Sequence, residues 1–283
     1  MKHLISLLAF SFLIGCDGEK SNVAPSEGPI EEAASESKPP EAVSVNPNLK
    51  YKIEGDAVTI TGCAEDASGE LIIPANIEGK PVTSIGRAAF GSCKSLTSIT
   101  IPDSVTFIGV QAFRRCSSLT SITIGNGVTE ILEKAFLDCS SLTSITIPDS
   151  VTSVEVAAFA KCSNLKRITI PDSVTSIGDY AFLECTNLTG ITIPDSVNSI
   201  GPVAFGKCSN LKSITIGNGV TSIGEVAFGK CDSLTAITFL GDAPKIQDNA
   251  FRESSPTIYR KADGKGWGDT LAGRPVKLIT EKP

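Results

Sequence analysis

Residues 139–161 read CSSLTSITIPDSVTSVEVAAFAK, and their apolar positions fall in a definite order. Ile145 and Ile147 alternate with Ser144 and Thr146, the period-two pattern of a half-buried strand, and β-branched residues favour it. The pattern predicts a strand over 142–147 with Leu142, Ile145 and Ile147 facing inward. Pro148, or a Gly at the same place in other stretches, ends the strand, and Asp149 and Ser150 supply turn chemistry. Val151 and Val154 form a second, shorter inward pair. Ala158 and Phe159 then fall on a helical turn or a tight bend, where the small Ala permits close approach and the Phe fills the centre.

The next 23 residues repeat the pattern. Phe90, Phe113, Phe136, Phe159, Phe182, Phe205, Phe228 and Phe251 recur at steps of 23, each preceded by Ala. Cys93, Cys116, Cys139, Cys162, Cys185, Cys208 and Cys231 keep the same step. A period of this length signals a solenoid, in which each unit is too small to bury its apolar face alone and stacks on its neighbours. Strands one period apart then lie in parallel, ~4.8 Å from each other, and about eight coils make a rod or shallow arc of about 40 Å. Such an array needs closed ends. Residues 48–84 read as an N-terminal cap with a degenerate first coil, 85–254 as the array, and 255–283 as a C-terminal cap whose Trp267 covers the last coil.

The motif L-x-x-I-x-I-P-x-S-V-x-x-I-G-x-x-A-F-x-x-C resembles the BspA-type leucine-rich repeats of bacterial surface proteins, over about residues 50–251. The tail is similar to the family's usual end. The better-known leucine-rich repeat places Asn or Cys after the strand; here Cys lies three residues before Leu. The resemblance implies a leucine-rich-repeat solenoid wound as a right-handed superhelix, export, and binding or adhesion through the repeat surface. It implies no particular ligand.

Charge separates the chain into parts. Residues 17–45 hold seven acids against Lys20 and Lys38, a net −5. Removing that and the +1 of Lys2 from the total of −6 leaves −2 for residues 46–283. A body so nearly neutral has no basic stripe for a phosphate backbone, which argues against nucleic acid as a partner. Residues 16–47, rich in Glu, Ser, Pro and Ala, read as a disordered acidic tether with a typical span of roughly 30 Å. Ahead of it, residues 1–15 read as a signal peptide, with Lys2 followed by a short apolar run too brief to span a bilayer. Its end, Leu13-Ile14-Gly15-Cys16, resembles the lipobox of bacterial lipoproteins. That resemblance implies cleavage before Cys16, lipidation of its thiol and membrane attachment through the acyl chains, with the plain secretory leader as the alternative. Asp17 follows the pattern that retains some such proteins at an inner membrane, so the final membrane stays open.

Little in the repeats points to catalysis. The single His, His3, lies in the leader, so the mature chain has none for a triad, a thiol base or a zinc site. No phosphate-binding G-x-x-x-x-G-K-[ST] loop occurs, and the Gly-rich stretch 263–269 reads as a cap turn. No cofactor or metal is expected, because the Cys lack the two-to-four-residue spacing of metal sites. The repeated Cys read as a buried ladder of free thiols serving as small core residues, since residues stacked at the strand spacing hold their Cβ atoms too far apart for disulfides. Cys63, outside the ladder, reads as core. Asp103, Asp149, Asp172 and Asp195 form a row that could attract cations, but turn geometry accounts for it, because Asn126 and Asn218 take the same place. The sequon at Asn187 is read as incidental in a bacterial lipoprotein.

The outer face of the strands offers the candidate ligand face: Thr100, Thr123, Thr146, Thr169, Thr192, Thr215 and Thr238. Beside it run Ser98, Ser121, Ser144, Arg167, Gly190, Ser213 and Ala236. The face lacks the Trp and Tyr of binding hot spots, so each contact is expected to be weak and adhesion to rest on many copies. The residues around 114–115 and their equivalents vary most between coils and read as solvated loops. The expected function is a lipid-anchored, surface-exposed repeat protein that binds a protein or glycan through its solenoid surface. The alternative is an architectural envelope spacer without a specific ligand. A regular Ser/Thr array is also similar to ice-binding solenoids, though Arg167, Gly190 and Ala236 break the file.

Overall fold

The computed structural model describes residues 46–64 and 66–281. The leader, Cys16 and residues 16–45 of the tether lie outside the described residues. Among those described, no helix is long and apolar enough to cross a membrane.

Each coil has three sides. The first is a short front strand, such as Ser144–Thr146, flanked by buried Leu142 and Ile147. The strand is shorter than the expected 142–147, but the inward residues are the expected ones. A turn follows, closed by the Val151 N–H donating to the Pro148 carbonyl at 3.0 Å. The second side is a two-residue strand, here Ser153–Val154, with Val154 buried. Strands one period apart pair in parallel and in register: Ile145 with Ile168 in front, Val154 with Ile177 behind.

The third side holds the Ala-Phe pair and resolves the choice between helical turn and bend: it is a chain of tight bends. In the coil of Phe136, the N–H groups of Ala135, Leu137 and Cys139 donate within the coil to the carbonyls of Leu132, Lys134 and Phe136. The intervening N–H groups of Lys134, Phe136 and Asp138 donate to Val156, Ala158 and Ala160 of the next coil, at 2.8–2.9 Å. Every N–H is thus used, alternately for bending and for stacking, as burial demands. The geometry requires a left-handed backbone at two places per coil, Lys134 (φ 56°) and Asp138 (φ 63°) in this one. Such conformations are uncommon outside Gly.

The Phe side chains form one interior column. Rings from Phe90 to Phe251 stack at centroid steps of 5.2 to 5.7 Å, nearly parallel except at the last step, where the planes open to 19°. All eight are at most 1% exposed. Two coils carry Gly-Asn-Gly where others carry Pro-Asp-Ser, and close approach explains it. A Cβ on Gly127 would lie 2.2 Å from the Asp103 carbonyl oxygen, and one on Gly219 2.0 Å from that of Asp195. In each the Asp carboxylate of the coil before accepts from the Asn N–H, Asp103 from Asn126 at 2.7 Å and Asp195 from Asn218 at 2.8 Å.

The ends depart from the 23-residue step. At the start, Leu49–Glu54 and Ala57–Cys63 form an antiparallel hairpin whose second strand pairs in parallel with Lys80–Ile85. Ser68–Ile72 supplies a front strand that pairs Leu71 with Ile99. At the finish, Thr257–Arg260 adds a rung that pairs Ala236 with Thr257, a step of 21, and Arg274–Leu278 pairs with it in turn. The result is about nine turns rather than eight. Trp267 packs edge-on against Phe239 at 5.2 Å and donates to the Gly241 carbonyl at 3.3 Å.

Candidate binding face

Three kinds of column run along the coils, and they differ in what their side chains are used for. The Cys column faces the core. Cys116, Cys139, Cys162, Cys185, Cys208 and Cys231 are free and buried, and each thiol donates to a Phe carbonyl of the preceding coil at 3.0 to 3.2 Å. Ser254 takes over at the end of the column and donates to Phe228 at 2.7 Å. Burial pushes the Cys162 and Cys231 thiols up to about 12 and holds those of Cys185 and Cys208 well above the ordinary thiol range. For Cys139 the hydrogen bond with Cys116 acts first and burial second, in the same direction. These thiols are packing groups.

Two expectations need correction. Cys93 is not a free thiol: it forms a disulfide with Cys63, with Cα atoms 7.1 Å apart. Cys93 is the first of its column. Residue 67, where later coils have the accepting Phe, is Ala, and residue 70, where a preceding Cys would stand, is Glu. The end of the hairpin strand instead brings Cys63 to Cys93. Thr238 is also not part of an open face, being 5% exposed. Thr215 is its partner in register on one side, but on the other it is Tyr259 rather than another Thr, and this larger neighbour is itself buried.

The rest of the front face separates into used and unused hydroxyls. Thr120, Thr143 and Thr235 donate to the carbonyls of Thr97, Thr120 and Lys212 one coil before, at 2.9 to 3.3 Å. Those hydroxyls serve the stack. Thr123, Thr146, Thr169 and Thr192 are exposed, and among the described residues their hydroxyls are committed to no such bond. Thr100 and Thr215 are half-buried. At Gly190 the file opens into a groove of about 640 Å³ bordered by Arg167, Thr169, Thr192, Ser213 and Thr215. A second groove of about 370 Å³ adjoins it and adds Lys166, Asn187, Asn210 and Lys212.

Several side-chain rows appear only when residues are read down the period. Asn187 donates to Asn164 at 3.1 Å, and Asn210 to Asn187 at 3.3 Å, forming an amide ladder. On the bends, Arg115, Asp138, Lys161, Glu184 and Lys207 alternate in sign. Arg115 meets Asp138 at 3.8 Å, Lys207 meets Glu184 at 2.7 Å, and farther on Lys230 meets Glu253 at 3.4 Å. The variable positions read as solvated loops are thus in part an ion-pair row, each pair exposed and worth about 0–1 kcal/mol. Ile72, Phe107 and Tyr180 are the large hydrophobic residues exposed among those described.

Among the described residues no cluster of His, Cys, Asp or Glu is placed to hold a metal ion. In the Asp row, Asp103 and Asp195 accept from the backbone N–H of Asn126 and Asn218 in the next coil.

The family described as BspA type leucine rich repeat region matches residues 71–162 and 129–257, in six copies. A leucine-rich repeat protein from T. pallidum has a similar structure, with 30% identity and a TM-score of 0.62, over 67% of this chain and 90% of that one. One from Bacteroides ovatus superposes with a TM-score of 0.53 at 24% identity, over 83% and 76% of the two chains; at that identity only the fold is compared. No curated protein matches the sequence.

Proposed function

Since this chain belongs to the BspA-type leucine-rich repeat family, we propose that it is an exported, lipid-anchored protein that binds a protein or glycan partner through the front face of its coils. The single observation that carries the reading is the split between the Thr columns. In one column Thr120, Thr143 and Thr235 spend their hydroxyls on stacking, while in its neighbour Thr123, Thr146, Thr169 and Thr192 leave theirs to the solvent, the last two beside an open groove. β-branched polar residues suit any exposed strand; the uncommitted hydroxyls beside the groove are what single out this face. The leader ending in Gly15-Cys16 and the acidic segment after it support export, lipidation at Cys16 and presentation away from the bilayer.

The body from residue 48 to residue 283 is the bait for capture from envelope and neighbouring-cell extracts. The expected result is a saturable partner lost when Thr146, Thr169 and Thr192 are changed together to Lys. Absence of any saturable partner overturns the reading in favour of an architectural spacer. Labelling with palmitate, abolished by Cys16→Ser, tests the anchor.

A further inference from the structure

The front columns are nearly uniform in four coils and altered in three adjacent ones, and most of the alterations border the two adjoining grooves. The position two residues after Cys is Ser95, Ser118, Ser141 and Ser233, but Asn164, Asn187 and Asn210 in between. The position after the core Leu is Thr97, Thr120, Thr143, Thr189 and Thr235, but Lys166 and Lys212 flanking the groove. The next position is Ser in four coils and Ala236 in a fifth, but Arg167 and Gly190 here.

Gly190 is the informative change. Its φ is ordinary, and a Cβ built on it would meet nothing nearer than 3.5 Å. Neither backbone conformation nor packing therefore asks for glycine, in contrast to Gly127 and Gly219, and glycine within a strand is unfavourable. What its missing side chain does is open the face between Arg167 and Ser213.

The two adjoining grooves together are cationic. Lys166, Arg167 and Lys212 are exposed, and among the described residues none has an ion-pair partner, whereas Lys207 and Lys230 on the bends do. The one carboxylate bordering the groove is that of Asp172. Lys166 and Lys212 stand two coils apart, on the order of 10 Å at the strand spacing, so their partners recur along a chain laid across the coils. The remaining lining is amide and hydroxyl: Asn187, Asn210, Thr169 and Thr192. No exposed large apolar residue borders it, so it lacks the anchor pocket by which peptides are usually gripped.

We propose that this groove binds an anionic polysaccharide, with carboxylate or sulfate groups at Lys166, Arg167 and Lys212 and sugar hydroxyls at the Asn and Thr side chains. The proposal names the partner class for the face described above and rests on that reading.

Binding of fluorescent polygalacturonate to the full chain in detergent micelles tests it, with dextran sulfate, neutral dextran and poly-glutamate as parallel probes. The expected result is saturable binding of polygalacturonate, of dextran sulfate, or of both; which one binds tells carboxylate from sulfate. Neutral dextran and poly-glutamate should bind at least ~10-fold more weakly. The triple change Lys166→Thr, Arg167→Ser, Lys212→Thr installs residues that other coils already carry, so the stack is preserved, and it should weaken binding by ~10-fold or more. Gly190→Ser should weaken it by several-fold through closure of the groove. Equal removal of charge elsewhere, through Lys94→Ser, Lys161→Ser and Lys245→Ser, should leave affinity within about 2-fold. Unchanged affinity in the first triple variant overturns the proposal, as does an equal loss in the second. Tighter binding of poly-glutamate than of either anionic polysaccharide overturns it in favour of an acidic peptide. A partner captured from extracts whose binding ignores the first triple variant sinks this assignment and leaves the broader face reading standing.

Discussion

The thiol column sets an alkaline limit on the fold. In the unfolded chain a thiol ionises near 9, but in the folded protein Cys162 and Cys231 do so only at about 12, while Cys139, Cys185 and Cys208 are also held well above their usual range. The folded values lie above the unfolded ones, so the neutral thiol is what the fold favours. Its contribution is complete below pH 9 and is lost as pH climbs toward 12. One pH unit corresponds to 1.36 kcal/mol per group, so at pH 10.5 Cys162 and Cys231 have each given up about 2 kcal/mol, about 4 kcal/mol together. That is a large part of a domain's stability. The assay is urea unfolding followed by circular dichroism at pH 8 and pH 10.5, without reductant, in the wild type and in Cys162→Ser/Cys231→Ser. Serine is an apt replacement because Ser254 already fills the column and keeps the bond to the Phe carbonyl. Whatever the double change costs at pH 8, the loss between the two pH values should shrink by about 4 kcal/mol, since ionisations of Lys and Tyr cancel between the proteins. An identical loss in both would refute the account of the thiols as buried neutral packing groups.

Other perturbations follow from the same geometry. Phe159→Ala opens a hole between two stacked rings and should cost about 3–5 kcal/mol in chemical denaturation, whereas Tyr180→Ala on the surface should stay within ~0.5 kcal/mol. Gly127→Ala forces a methyl against the Asp103 carbonyl and should cost more than ~2 kcal/mol, while Gly190→Ser should be neutral or gain up to ~1 kcal/mol in thermal unfolding. Val226 occupies a left-handed position, φ 53°, and a Cβ on Gly229 would lie 2.2 Å from its Cγ1. Gly229→Leu should therefore destabilise alone but be rescued by Val226→Lys, the pairing already present at Lys134 and Leu137, with a coupling of about 1–2 kcal/mol in a double-mutant cycle.

The stacked interior was legible because its period is unbroken: a Phe every 23 residues can occupy only one column if the strands are in register. Legibility ended where the step slips. The rung at Thr257 is 21 residues from Ala236, so a search at 23 passes over it, and with it Tyr259, which closes over Thr238. Cys63 and Cys93 are 30 apart, and their meeting depends on how the hairpin folds back, which no repeat encodes. The face itself was half visible. The Thr file could be read from alternation, but which hydroxyls are spent on the previous coil depends on backbone carbonyl positions that only three dimensions supply. Arg167 and Gly190 were legible as breaks in their column; that they border a groove, with Lys166 and Lys212 on the one adjoining it, was not.

The clasp between Cys63 and Cys93 is the only covalent cross-link among the described residues, and it sits at the first coil. Everything beyond it is fastened like a zip, tooth by tooth. Such an object has a direction: the clasped end is closed to peeling, so unravelling starts beside Trp267 and runs back toward the hairpin, and a protease attacking the folded body should trim it in that order.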